Sequence, residues 1–378
     1  MAETDALSAL RHELHRYPEI SGDEHATAEK IKKHFQHLQP QEIIEEIGGG
    51  GVAFVFKGKE KGPTVMFRAE LDALPIQEDS ALIYCSKNDG VAHKCGHDGH
   101  MTILAGLGKF LHQHQPLKGR VVLLFQPAEE TGQGAKRILA DARWNEIIPD
   151  YVFALHNLPG FTAGEILMRE GNFSSASAGF EAFLNGKTSH AAEPDKGNNP
   201  AIAIADIIRD YNNKLVLPEN YEAFILATII HVLVGEKAFG TSAGHAIFRA
   251  TLRAAEQDDF DLLKKNAMAI VHQHAGNHQL KADTNWVEEF PVTHNNTDAN
   301  KLILKAAQNR GLQVKHIPQP FRWSEDFGWF LQQYPGALFG LGAGENAAPL
   351  HHPKYDFNDD ILPVGIDIFK NICFQLNY

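Results

Sequence analysis

Three short, almost uninterrupted apolar stretches constrain this chain most: "TVMFRA" (64–69), "VVLLFQ" (121–126) and "YVFALH" (151–156). Runs of this length without polar alternation suit strands buried on both faces, as in a sheet covered by helices on either side. Between the first two lies "MTILAGLGKFLHQH" (101–114), whose apolar positions recur at helical spacing. Residues 4–17, stopping before Pro18, and residues 23–38 also read as helices. Strands alternating with helices predict an α/β fold, a sheet sandwiched between helical layers.

The middle of the chain has a different rhythm. "AGFEAFLNG" (178–186) alternates apolar and polar positions, and "NPAIAIADIIRDYNNKL" (199–215) is helical. Strand-like stretches at 223–234 and 245–254, a helix at 258–276 and a strand at 279–289 follow. The order β-α-β-β-α-β is that of a ferredoxin-like α+β unit. A chain of 378 residues exceeds one ordinary core. We therefore expect a small α+β domain at 173–289, inserted into a discontinuous α/β domain of residues 1–172 and 290–378. A helix at 298–311, a strand at 337–341 and a final helix at 359–376 would complete the larger domain.

Composition narrows the partners. The net charge of −12 argues against a broad surface for nucleic acid, which needs clustered Lys and Arg. The longest apolar run, "FILATIIHVLV" (224–234), is interrupted by Thr228 and His231. It falls short of the roughly 20 residues a bilayer span requires, so no membrane association is expected. The first residues show no apolar core of a signal peptide. The odd, sparse set Cys85, Cys95 and Cys373 is no disulfide framework, which makes a cytoplasmic protein the expectation.

Metal-type ligands gather where the predicted strands end. Asp72 follows 64–69, Glu129 and Glu130 follow 121–126, and His156 closes 151–156. In α/β sheets, ligands bind outside the carboxyl ends of strands. "HKCGHDGH" (93–100) adds three histidines, a cysteine and an aspartate, and "LHH" (350–352) adds His351 and His352 after a glycine-rich strand end. Each has an ordinary alternative. Asp72 could be a turn residue, Cys95 a small buried hydrophobe, the glutamates a helix's first turn, His156 a satisfied strand-end histidine, and His351 and His352 solvated loop residues. Together they are better explained by a metal site. In the adjacent glutamates, one carboxylate can bind metal while its neighbour takes a proton from the reacting water.

These segments resemble the M20 metallopeptidase family, in particular its amidohydrolase branch of aminoacylase- and hippuricase-like enzymes. The resemblance runs nearly end to end, through "RHELHRYPEISGDEHAT" (11–27), "FRAELDALPIQE" (67–78), "HKCGHDGHMTILAG" (93–106), "VVLLFQPAEETGQGA" (121–135), "ALHNLPGFTAGEI" (154–166), "GKTSHAAEP" (186–194), "SEDF" (324–327) and "LHHPKYDFND" (350–359). It implies a zinc-exopeptidase-like helix–sheet–helix catalytic domain with an inserted ferredoxin-like lid through which a homodimer forms. It implies two divalent ions, zinc or manganese with cobalt or nickel as alternatives, on Cys95, His97, Glu130, His156 and His351. Glu129 would be the general base, Asp72 would orient the site and His190 on the lid would steady the oxyanion, commonly from the neighbouring subunit. The roles of His93, Asp98 and His100 stay open.

The implied reaction is hydrolysis of the amide of an N-acyl amino acid. A dipeptidase of the same fold and a metal-containing binding protein are the alternatives. The lid segment "HVLVGEKAFGTSAGHAIFRATLR" (231–253) lacks the Asn-Val-Ile-Pro element usual in the family, which leaves the partner of the substrate carboxylate open. Arg253 and Arg322 are candidates for it, with an ordinary surface or ion-pair role as the alternative for each. Glu70 stands where Asp is usual, and little change is expected because the carboxylate is kept.

Overall fold

The computed structural model describes residues 2–378. The backbone divides into two compact units. The first comprises the chain up to Phe173 with Thr293–Gln319 and Asp326–Tyr378, and the second comprises Ser174–Val292 with Pro320–Glu325.

The first unit is built on an eight-stranded mixed sheet. Its early strands are β1 (Glu42–Ile47), β2 (Gly51–Lys57), β3 (Glu60–Glu70), β4 (Lys118–Gln126) and β5 (Tyr151–Pro159). The spatial order is β1, β2, β4, β3, β5, Gly336–Gly344, Ile166–Met168 and Val314–His316. β4, β3, β5 and Gly336–Gly344 run parallel to one another, so their carboxyl ends share one edge. These are the continuous apolar runs of the sequence, and their central residues are buried on both faces. Helices α1 (Ala2–Arg16), α2 (His25–Gln36) and α3 (His97–Gln113), with Thr297–Asn309 and Leu362–Leu376, supply the covering layers. Phe67, Phe153, Ile103, Leu107, Phe339 and Phe369 meet in one buried cluster. Each such side chain contributes about 1.5–3 kcal/mol relative to an exposed position.

The hairpin of β1 and β2 was not expected. "GVAFVF" (51–56) carries the same apolar signal as the central strands, and β2 is buried along nearly its whole length. In β1 only Ile44 and Ile47 are buried. Its register shifts between those residues and Glu46 adopts a φ of +57°, which breaks the period of two that a sequence reading relies on. The three-residue strands Ile166–Met168 and Val314–His316 are too short to leave a periodic signal.

The second unit holds a four-stranded antiparallel sheet in the order Ile225–Val234, His245–Ala254, Ala176–Asn185, Lys281–Phe290. With helices Ala201–Asp210 and Gln257–Asn277, the element order is β-α-β-β-α-β. The first helix ends five residues earlier than expected and continues as a π-type turn over Tyr211–Leu215. Alternation sets the faces. Ala178, Phe180, Ala182 and Leu184 pack with Phe248, Ala250 and Leu252 against Ile204, Ile207, Leu263 and Val271. The edge strand Ile225–Val234 leaves Leu226, Ile230 and Leu233 exposed. No helix among the described residues is long and apolar enough to cross a membrane.

Candidate metal centre

The parallel strands deliver the expected residues to one edge of the first unit. Asp72 lies two positions beyond the end of β3. Glu129 and Glu130 sit in a turn after β4 rather than in a helix. That turn needs Ala128 at φ +52°, and its amide donates to Glu24 Oε1 (2.7 Å). His156 does not close its strand as expected. β5 runs on to Pro159, and His156 pairs in register with Gly340.

Helix α3 starts at His97, four residues before the expected 101, so "HKCGHDGH" is a loop running directly into a helix. Gly96 caps that helix with a φ of +94°. A Cβ at Gly96 would lie 2.3 Å from Asn157 Oδ1 and 2.7 Å from the Tyr355 hydroxyl. Only glycine satisfies both the left-handed backbone and the missing space, which sets Cys95 and His97 on either side of a tight bend.

The donor atoms converge. Cys95 Sγ lies 3.5 Å from His156 Nε2. His97 Nε2 is 3.9 Å from Glu129 Oε2 and 3.8 Å from Glu130 Oε1, and His351 Nε2 is 3.8 Å from Glu130 Oε2. Three overlapping sets, Cys95–His97–His156, Cys95–Glu130–His351 and His97–Glu129–Glu130, each place their ligand atoms within 4.8 Å of one another. All of these residues belong to the first unit.

Hydrogen bonds fix which ring nitrogens face the cluster. His97 Nδ1 donates to the Asp72 carbonyl (2.8 Å), and His156 Nδ1 donates to the Asn157 carbonyl (2.8 Å). In the neutral rings each Nε2 therefore keeps its lone pair toward the centre, the second-layer arrangement typical of metal-binding histidines. His97 Nε2 is buried and has no hydrogen-bond partner among the described residues. A buried ring nitrogen left without a partner, with sulfur, nitrogen and carboxylate donors around it, fits a divalent transition ion. His351 adopts a φ of +63°, uncommon for a side chain of its size, and its amide donates to the Lys94 carbonyl (2.8 Å). His352 is engaged locally instead, its Nδ1 accepting from the Lys354 amide (3.1 Å).

Electrostatics favour a cation here. Burial alone would lower the pKa of His97, but Glu70, Asp72 and Glu130 outweigh it and raise it to about 10. The pocket thus carries a surplus of negative charge, which a proton or a metal ion can answer. His156 goes the other way, pushed down to about 3 by burial and by the neighbouring His100. Burial alone would raise the pKa of Asp72, yet it lies below the usual carboxylate range because His97, the Glu130 amide and Ser21 hydrogen-bond to it.

The residues left open now have positions. Asp98 points away from the centre, accepting from Arg11 Nη1 (3.2 Å) and pairing with His15 Nδ1 (2.8 Å). Both nitrogens of His100 are engaged. Nε2 accepts from the Asn157 amide (3.1 Å), so Nδ1 carries the proton toward Glu70 (2.7 Å). His93 is buried with neither ring nitrogen hydrogen-bonded, and burial holds its pKa at about 3.

Three supporting groups escaped the sequence reading: Arg68, Asn157 and Lys94. Arg68 reaches Gln126 (2.8 Å), Glu70 and Asp326 (2.6 Å) in a fully buried network. Glu70 thus joins Arg68 to His100, while the Asp326 amide lies 3.4 Å from Glu129 Oε1. Asn157 ties the Cys95 carbonyl (3.1 Å) to the Tyr355 hydroxyl (2.7 Å). A charged residue inside an apolar run, as Arg68 is in "VMFRAE", was the available signal.

His190, Arg253 and Arg322 lie in the second unit. His190 is exposed and sits on a short strand pairing with Thr241–Ser242. Its Nδ1 accepts from the Ala192 amide (3.1 Å), which leaves Nε2–H as a donor. Arg253 is partly buried, and its guanidinium donates to the Arg322 carbonyl (3.0 Å) and the Ser324 hydroxyl (3.1 Å). Burial lowers its pKa. Arg322 stacks over Phe224, 4.5 Å from the ring centre.

Comparison with known proteins identifies the family. Residues 66–375 match the family described as Peptidase family M20/M25/M40. An N-acetyl-L-cysteine deacetylase of Bacillus subtilis is 31% identical over 360 residues, 94% of this chain and 84% of that protein. An N-acetyldiaminopimelate deacetylase of Oenococcus oeni is 31% identical over 379 residues, covering 98% of both. A dinuclear metal binding peptidase of the M20 family from Bacillus subtilis superposes with a TM-score of 0.83 at 27% identity, covering 99% of this chain and 98% of that one. With the match spanning most of its length, and with relatives above 30% identity aligned nearly end to end, this chain belongs to peptidase family M20/M25/M40.

Proposed function

We propose that the chain is a metal-dependent amidohydrolase that cleaves N-acyl amino acids to a carboxylic acid and a free amino acid. One observation carries the reading. Cys95, His97, Glu130, His156 and His351 converge in one cluster, buried at Cys95, His97 and His156 and open to solvent at His351; its His97 Nε2 has no hydrogen-bond partner among the described residues, and Glu129 lies beside it. The relatives named as deacetylases of N-acetyl amino acids support the substrate class.

In this reading those five residues hold two divalent ions, zinc or manganese, with cobalt and nickel also compatible with the donor set. Bound there, the ions acidify water and polarise the scissile carbonyl. Glu129 takes the proton released as water attacks, then donates it to the departing nitrogen. Asp72, through its backbone carbonyl and carboxylate, keeps the His97 ring in place. From the second unit, His190 Nε2–H is the proposed donor to the oxyanion. Arg253, whose hydrogen bonds go to neutral groups, is the proposed partner of the substrate carboxylate. The second unit would act as the lid and the first as the catalytic domain. A homodimer assembling through the exposed edge strand Ile225–Val234, in the cytoplasm, completes the proposal.

The test is release of free amine from a panel of acetyl-, benzoyl- and longer-chain acyl amino acids, with dipeptides alongside, after loading with manganese or zinc. Glu129→Gln should abolish turnover while metal content stays near that of the parent. Full activity of that variant would eliminate Glu129 as the base, and cleavage of dipeptides alone would replace the substrate class.

A further inference from the structure

The proposed metal ligands lie on segments far apart in sequence, and something must hold those segments at a fixed separation. Cys95 and His97 belong to the loop entering α3, and His351 belongs to the stretch that leads into Asp359–Ile361. Part of the tie is local: the His351 amide donates to the Lys94 carbonyl (2.8 Å), and Lys94 Nζ donates to the Tyr355 carbonyl (2.8 Å). Two residues outside both segments add to it: Asn157, which bonds the Cys95 carbonyl and the Tyr355 hydroxyl, and Arg11 on α1.

Arg11 is 1% exposed. Its Nη1 donates to Asp98 Oδ2 (3.2 Å) in the first turn of α3 and to Asp356 Oδ1 (2.9 Å) on the later segment, while Nε forms an ion pair with Asp359 Oδ1 (2.5 Å) without hydrogen-bond geometry. The same Asp98 oxygen pairs with His15 Nδ1 (2.8 Å), one turn along α1. Tyr84 lies against the guanidinium, 4.6 Å from the ring centre, and its hydroxyl donates to Asp356 Oδ2 (2.6 Å). A buried guanidinium shared among three carboxylates costs desolvation that a pair of apolar residues would not. Its planar fork also fixes relative direction as well as distance, which a lysine cannot do.

We propose that Arg11 is a positioning residue that sets the separation between the Cys95–His97 loop and the His351 segment, and so tunes the ion that needs both. This rests on the ligand assignment proposed above. Among the ligand sets, Cys95–His97–His156 draws nothing from the later segment, whereas Cys95–Glu130–His351 does. Loss of the Arg11 fork therefore weakens one ion and spares the other. Because the Lys94 ties remain, the effect is graded and the site is not abolished.

The test uses the full chain stripped of metal and titrated with cobalt, following its ligand-field and thiolate charge-transfer bands against a competing chelator. Arg11→Lys and Asp359→Asn are the variants, the second chosen because Asp359 is 26% exposed and its loss should not prevent folding. The expected result is an unchanged first equivalent that keeps the thiolate band, and a second equivalent weakened up to about 10-fold, the low end of the range for losing a group bonded directly to a ligand. Both variants should keep near-parental melting temperatures without metal. Parental affinity for both ions in both variants overturns the positioning role. So does equal weakening of both ions together with a lowered melting temperature, which is general destabilisation. If the parent itself binds no cobalt with a thiolate band, the ligand assignment fails, and this inference with it.

Discussion

Gly96→Ala is the smallest perturbation that reaches the centre without touching a ligand. The new Cβ would impose a left-handed conformation on a residue with a side chain, at about 1–2 kcal/mol. It would also lie 2.3 Å from Asn157 Oδ1 and 2.4 Å from Nδ2, so Asn157 must move. Asn157 is buried and bonded to the Cys95 carbonyl and the Tyr355 hydroxyl. Breaking one of those bonds adds about 1–3 kcal/mol. The expected loss is therefore about 2–5 kcal/mol, at roughly 2–4 °C of melting temperature per kcal/mol in a domain of this size. Calorimetry on metal-free protein, where the two units can melt separately, would read it directly. Cobalt affinity should fall as well, because the moved bond holds the Cys95 backbone. Gly276→Ala is the control: it lies in a helix with open space around its missing Cβ, and it should be neutral or slightly stabilising. A Gly96→Ala variant with parental melting temperature and cobalt affinity would refute the claim that this bend is sterically required.

Two further outcomes follow from the groups around the centre. Burial alone would lower the pKa of His15, but hydrogen bonds from its ring to the Asp98 and Glu78 carboxylates outweigh it and raise it to about 9. A folded-state pKa above the unfolded value of about 6.5 gives stability that is fully present below pH 6.5. That stability is lost as the pH rises through about 9, and it amounts to about 3 kcal/mol. Denaturation of metal-free protein between pH 6 and 10 should show the decline, and His15→Gln should flatten it; an equally steep decline in the variant would assign it elsewhere. Asp72→Asn keeps the side chain's size but removes the charge beside His97, and should weaken metal binding about 10–100-fold, read by chelator competition. Unchanged affinity would show that the backbone carbonyl of Asp72 alone orients the ring.

How much of this was legible in sequence depended on whether a residue's role is encoded in its type. The central strands were plain because burial on both faces demands an unbroken apolar run, and Val65–Phe67 or Val121–Phe125 can serve nothing else. Cys95, His97, Glu130 and His351 stood out because few side chains can coordinate an ion. β1 was hidden because a bulge at Glu46 removed its period, and the start of α3 was misplaced because a glycine-rich loop gives no helical rhythm before residue 101. His100 was ambiguous for another reason. A histidine that ligates and one that donates to Glu70 look alike until the partner of each nitrogen is known. Arg11, Lys94 and Asn157 were missed because their importance lies in what they touch at sequence separations of 62 residues or more.

The same distinction separates the two units. Every proposed ligand, the proposed base and their buried supports belong to the first, where each position tolerates few chemistries. The proposed substrate contacts, His190 and Arg253, belong to the second, and Arg253 closes the segment 231–253 that departs from the usual lid pattern. Hydrolysis demands the same water activation whatever the acyl group, so its residues are fixed by chemistry. Recognition of the acyl and amino-acid groups can be met by many arrangements of apolar and polar side chains. That is why the reaction class can be argued from the first unit, whereas the identity of the substrate must come from measurements that vary the acyl group.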